Sequence, residues 1–144
     1  MIGFLIDMVG SRLLLGAVGK RRTRAQDRAF SEGSEILFEA CVLGDRPYCR
    51  PVMVFLAASR TALHVSPTEL KTLGRRALPT EHIEIRRVRE RTRSDPRIIR
   101  TSWSVAECYD GTAPFTIACA PEHMRHVTGS LRTEGPGPPS TTAD

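Results

Sequence analysis

Motifs that carry enzymatic mechanism are missing from this chain. It has no Gly-x-Ser-x-Gly, no phosphate-cradling glycine loop and no His-Glu-x-x-His, which removes the common signatures of hydrolases, nucleotide-binding proteins and zinc proteases. No enzyme, cofactor or metal is expected. Aromatic residues are also scarce, at 6%. With the single Trp103 assigned to the core, Tyr48 and Tyr109 are the remaining platforms on which bases could stack, phenylalanine aside. No pair of the four cysteines has Cys-x-x-Cys spacing, and Cys41, Cys49, Cys108 and Cys119 are expected to be reduced and mostly buried. An uninterrupted apolar run of about 20 residues, the length of a membrane span, is absent too. Asp7 and Arg12 break the apolar stretch Met1 to Gly19.

That stretch is instead amphipathic: Ile2, Leu5, Ile6, Val9 and Leu13 share one helical face. The cations follow it, at Lys20, Arg21, Arg22 and Arg24, whereas a secretory leader carries its charge in front. An apolar face beside four cations suits the surface of an anionic membrane. The same face suits packing on the chain's own domain or on a second subunit. The expected location is cytoplasmic, peripheral at the inner face of a membrane.

Charge is unevenly spread. From Lys71 to Arg100 ten basic residues stand against Glu81, Glu84, Glu90 and Asp95, a surplus comparable to the net +5 of the whole chain. Non-specific nucleic-acid binding is one use of such a segment. The interleaved glutamates and the few aromatics weigh against it.

The remaining pattern is that of strands followed by one helix. Residues 25–33 read as a polar connector. Ile36, Phe38, Ala40 and Val42 alternate as a first strand, 44–51 reads as a loop, and Val52 to Ala57 as a buried strand turning at Ser59-Arg60 into Thr61 to Val65. Thr68 to Arg76 reads as a loop and Ala77-Leu78-Pro79 as a short extended piece. Ile83, Ile85 and Val88 cannot share one face under strict alternation, which predicts a bulge near Arg86-Arg87. Glu90 to Arg97 is a charged loop. Ile99, Thr101, Trp103 and Val105 share one side of a strand that turns at Asp110-Gly111 into Phe115, Ile117 and Cys119. Pro121 and Glu122 open a helix whose stripe is Met124, Val127 and Leu131. After Arg132 no large apolar residue remains, so the tail is expected to be disordered.

Five features in this order resemble the bacterial pleckstrin-homology-like and GRAM-like domains. They are the strand Glu35-Ile-Leu-Phe-Glu39, the strand–Ser-Arg–strand hairpin with Leu63, Leu78-Pro79 followed by Ile83 or Ile85 and Val88, the Trp103 to Ile117 hairpin, and the closing helix. The resemblance spans about residues 34–132. It implies an α+β, mainly β domain: a bent, partly open antiparallel barrel of six to seven strands, plugged by the C-terminal helix. The domain is preceded by residues 1–33 and followed by the tail 133–144. Lipid-binding members carry basic residues at the end of the first strand and the start of the second. Arg46 and Arg50 match the first position, while Val52-Met53-Val54-Phe55 offers no basic pair at the second. The expected function is a non-enzymatic binding module on an anionic membrane surface, with a protein-interaction scaffold or homo-oligomer as the alternative.

Cys119, His123 and His126 are the one cluster of ligand-type side chains. Cys119 shares a strand face with Phe115 and Ile117 and so aims inward, and the two histidines read as solvent-facing neighbours of the stripe. No metal site is expected from them.

Overall fold

The computed structural model describes residues 23–69 and 74–131. The amphipathic stretch, the cations Lys20 to Arg22 and the tail lie outside the described residues. Residues 23–31 form a helix, α1. Seven strands follow: β1 (Ile36–Gly44), β2 (Val54–Ala58), β3 (Leu63–Ser66), β4 (Arg76–Ala77), β5 (Glu84–Glu90), β6 (Ser104–Tyr109) and β7 (Pro114–Cys119). A helix, α2 (Pro121–Leu131), ends the described chain. The strands form one antiparallel sheet in the order β4-β3-β2-β1-β7-β6-β5. The fold is thus α+β and mainly β. The sheet is not closed into a barrel, since β4 and β5 are its two edges.

The central strand explains the shape. Ile36 to Ala40 pair with β2, and Cys41 to Gly44 pair with β7. At this handover the in–out alternation slips: Ala40, Cys41 and Val42 are all fully buried. Ala40 and Val42 join the main core with Phe38, Leu56, Leu63, Ile117, Cys119, Met124 and Val127. Cys41 instead faces a second cluster with Ile99, Trp103, Val105 and Ala118. Trp103 is therefore buried, but on the opposite face of the sheet from the main core.

The closing helix follows the expected stripe. Pro121 occupies its first turn, the Ala120 carbonyl accepts from the amides of His123 and Met124, and Met124, Val127 and Leu131 are buried. Each of those side chains contributes about 1.5–3 kcal/mol of transfer free energy. Burial extends to His126 and Ser130 as well, because α2 is covered by the sheet on one side and by α1 on the other. Phe30 of α1 reaches Gly129: a Cβ there would stand 2.9 Å from the ring, so a larger residue would make the Phe30 ring shift.

Several sequence expectations are corrected. Residues 25–33 are not a connector; most of them belong to α1, whose Ala29 and Phe30 pack against the main core. The second strand starts at Val54, leaving Val52 56% exposed. Residues 98–103 are not strand: two turns, Ile99 to Pro96 and Trp103 to Arg100, lead into β6. Thr101 is exposed there, because two i to i+3 turns replace the period of two. The bulge between Ile85 and Arg87 is present; it turns Ile85 and Val88 to one face. Ala77 lies in β4, and Gly111 takes a positive φ of 89° in the β6–β7 turn.

Candidate functional site

Arg46 and Arg50, matched to an anion site by resemblance, have partners within the chain. The register that sets Gly44 opposite Phe115 brings the 45–51 loop against the β6–β7 turn. There Asp110 is 5% exposed and accepts four hydrogen bonds. Arg46 Nε (2.6 Å) and the Tyr48 hydroxyl (2.5 Å) donate to one carboxylate oxygen, and the amides of Thr112 and Ala113 (2.9 Å each) to the other. Burial alone would raise the carboxyl's pKa, but these donors outweigh it and hold Asp110 well below the carboxylate range. Tyr48, read as a possible stacking platform, is buried at 4% and stacks edge-on against Phe115. Arg50 donates to the carbonyls of Pro47 and Cys49. This constellation locks two loops together. Of the cations at 20–24, Arg24 is described and is exposed in α1.

The histidines are not solvent-facing neighbours of the stripe. His126 is 2% exposed, and its Nε2 lies 2.7 Å from Asp27 of α1. Arg125 pairs with the other Asp27 oxygen at 2.8 Å. Phe30 tilts against the His126 ring, and His123 stacks flat on Phe38 at 4.5 Å. The Nδ1 atoms of both histidines are buried without a partner. A neutral imidazole tolerates this as an idle acceptor, whereas a protonated one would bury an orphan donor. Among the described residues no group of three or more His, Cys, Asp or Glu could hold a metal ion. The thiols are buried, and desolvation pushes Cys41 up to about 11 and Cys108 up to about 12, far from the reactive thiolate.

This arrangement has a pH consequence. Burial depresses both imidazoles below their ordinary 6.5, with the Asp27 contact pulling His126 partly back. The unfolded chain therefore takes up protons before the folded one. Stability is full above about pH 6.5 and is lost as the pH falls from there through the depressed folded values. Urea unfolding of the full chain should show a lower midpoint at pH 5 than at pH 7.5, with a smaller difference in H126F. A midpoint that does not move over this range would refute the assignment. Asp110 and Asp95, whose pKa values are held low, act only in far more acidic solution.

The exposed apolar surface points elsewhere. Val88 of β5 is 46% exposed. It lines a groove of about 340 Å³ with Ile83, Glu84, Ile85, Thr128 and Leu131. The floor is apolar because the bulge brings Ile85 and Val88 to the same side, opposite Cys108 and Ala106 of β6. One wall is the last turn of α2; the other is the β5 edge, which among the described residues has a strand neighbour on one side only. Sequence reading placed Ile83, Ile85 and Val88 inward but saw no groove. A strand edge and a helix end meet only in the tertiary fold, and the signal in the sequence was the excess apolar residue beside a bulge.

The other face of β5 is polar. Arg86 lies 4.2 Å over the Tyr109 ring, which occupies that platform. Arg89 bridges Glu107 at 2.6 Å and Asp95 through two bonds of 2.8 and 2.9 Å. Asp95 also accepts from the Thr92 amide at 2.7 Å. The segment 91–97, read as a charged loop, is thus a tied structure that leaves Arg93 and Arg97 exposed. No protein-family model, curated protein or solved structure matches this chain, so its functional reading rests on the geometry of these sites.

Proposed function

We propose that this chain is a non-enzymatic binding module of the pleckstrin-homology-like, GRAM-like kind, and that it captures an extended segment of a partner protein beside β5. The family reading is supported by the strand order, by a first strand that divides its pairing between β2 and β7, and by a helix packed across the sheet. The single observation that carries the binding reading is the β5 edge, left without a second strand among the described residues, beside an apolar groove. An edge offers unpaired backbone donors and acceptors to an added strand, and pockets for alternate side chains select it. The lipid reading loses support at Arg46 and Arg50, which are engaged within the chain. It keeps the cations at 20–24 and the apolar face before them.

A phage-displayed library of random peptides selected on the full chain tests this. Enriched peptides should shift the amide resonances of residues 83–90 and of Thr128 and Leu131. If no peptide is enriched and the chain co-sediments with phosphatidylserine vesicles, membrane association takes the place of this reading. Shifts confined to other surfaces would also overturn it.

A further inference from the structure

Among the described residues no backbone hydrogen bond ties α1 to the sheet or to α2. Side chains hold it instead. Asp27 meets His126 and Arg125 of α2 at 2.7 and 2.8 Å, and Phe30 reaches Gly129 and tilts against the His126 ring. Arg60 donates to the Ser31 carbonyl at 3.2 Å. The apolar residues that α1 packs on the main core are Ala29 and Phe30, both only partly buried, and Arg24, Ala25 and Arg28 are exposed. An element with so little buried apolar surface opens at a lower free energy than the core.

The ring under α1 suits one protonation state. With His126 neutral, Nε2–H donates to Asp27 and the buried Nδ1 is an idle acceptor. A second proton would sit on Nδ1, where no acceptor waits. The rings around it are Phe30 from α1 at 5.0 Å, His123 at 5.7 Å and Phe38 from β1 at 6.4 Å. The Ser130 hydroxyl is committed to the carbonyls of Ser59 and His126. The charged groups acting on the ring are Asp27 from α1 and Arg125 from α2, with Glu122 and His123 on the same helix. Asp27 already pairs with Arg125, so a charged His126 would be a second cation on one carboxylate.

We propose that α1 is a clasp released by acid: protonation of His126 lifts α1 from α2 while the sheet and α2 stay folded. Undocking withdraws Asp27 and Phe30 from the ring and admits water, which accepts from the second N–H. The undocked state therefore takes up the proton more readily. Docking is full above about pH 6.5 and weakens as the pH falls from there through the depressed docked value, by up to tenfold per pH unit for one proton. His123 is not the trigger, because it stacks on Phe38 of β1. In sequence α1 directly follows the apolar and cationic stretch 1–22, so the clasp decides whether that stretch is rooted on the domain.

Amide spectra of the isotope-labelled full chain between pH 7.5 and pH 5 test this. Residues 24–31 should move to random-coil positions with a midpoint below pH 6.5 that coincides with titration of the His126 ring protons. Residues 36–44 and 114–131 should keep their dispersion. H126Q retains an amide donor towards Asp27 and has no proton to gain, so its α1 should stay docked at pH 5. F30A weakens docking and leaves the imidazole in place, so its midpoint should move upward. An α1 that stays docked once His126 is protonated overturns the clasp, as does release of H126Q at the same pH as the parent. If α1 and the sheet melt together, acid only lowers stability and there is no switch. Should H126Q fail to fold, the parent chain still decides, since separate midpoints for ring and helix overturn the proposal.

Discussion

Replacing Asp110 by alanine should cost about 3–5 kcal/mol, the range found when one partner of a buried, hydrogen-bonded charge is removed. The side chain accepts from Arg46, Tyr48, Thr112 and Ala113 together. Its loss leaves a buried tyrosine hydroxyl and two turn amides without an acceptor, and an unsatisfied buried group costs the full desolvation penalty. Both loops should loosen together, because Asp110 is the atom-level joint between residues 45–51 and the β6–β7 turn. Y48F removes one donor and leaves the rest, so about 1 kcal/mol is expected. Urea unfolding followed by circular dichroism measures both. A D110A protein as stable as the parent, or a Y48F protein more damaged than D110A, would show that the joint is ornamental. The contribution of Asp110 also has a pH signature. Its folded pKa lies below the unfolded value of 3.8, so it is present above that value and fades as the pH falls through the folded one.

The second large effect is expected at Trp103. Its indole is 5% exposed and packs with Cys41, Ile99, Val105 and Ala118 on the face away from the main core, while Arg100 lies 5.0 Å over the ring. Truncation to alanine should destabilise by about 3–5 kcal/mol. The loss should be unevenly distributed. Hydrogen exchange in residues 91–103 should accelerate more than in α2, whose contacts lie in the other cluster. Uniform acceleration would mean that the two clusters are energetically one, and an unchanged unfolding midpoint would mean that the cover over β1, β6 and β7 adds nothing.

Local pattern was legible in the sequence wherever one face of an element met one partner. The stripe Met124, Val127 and Leu131, the inward set Phe115, Ile117 and Cys119, the Asp-Gly turn and the bulge near Arg86 all follow from periodicity and turn chemistry, which are properties of neighbouring residues. They were misread or invisible where an element is covered on two sides. His126 looked like a solvent residue because a helix periodicity locates one stripe, and only α1, lying across α2, buries the next one. Trp103 was assigned to the core by its apolar character and by alternation with Ile99 and Val105, which cannot say on which side of the sheet a ring will be covered. Arg46 read as a free cation because its partner depends on a register: Asp110 comes to it only when Gly44 pairs with Phe115. Composition and local spacing thus determined a mainly β chain with a closing helix and an excess of arginine. The divided pairing of β1, the spent and unspent charges and the groove beside β5 were decided by tertiary structure, since each joins residues that are distant in sequence.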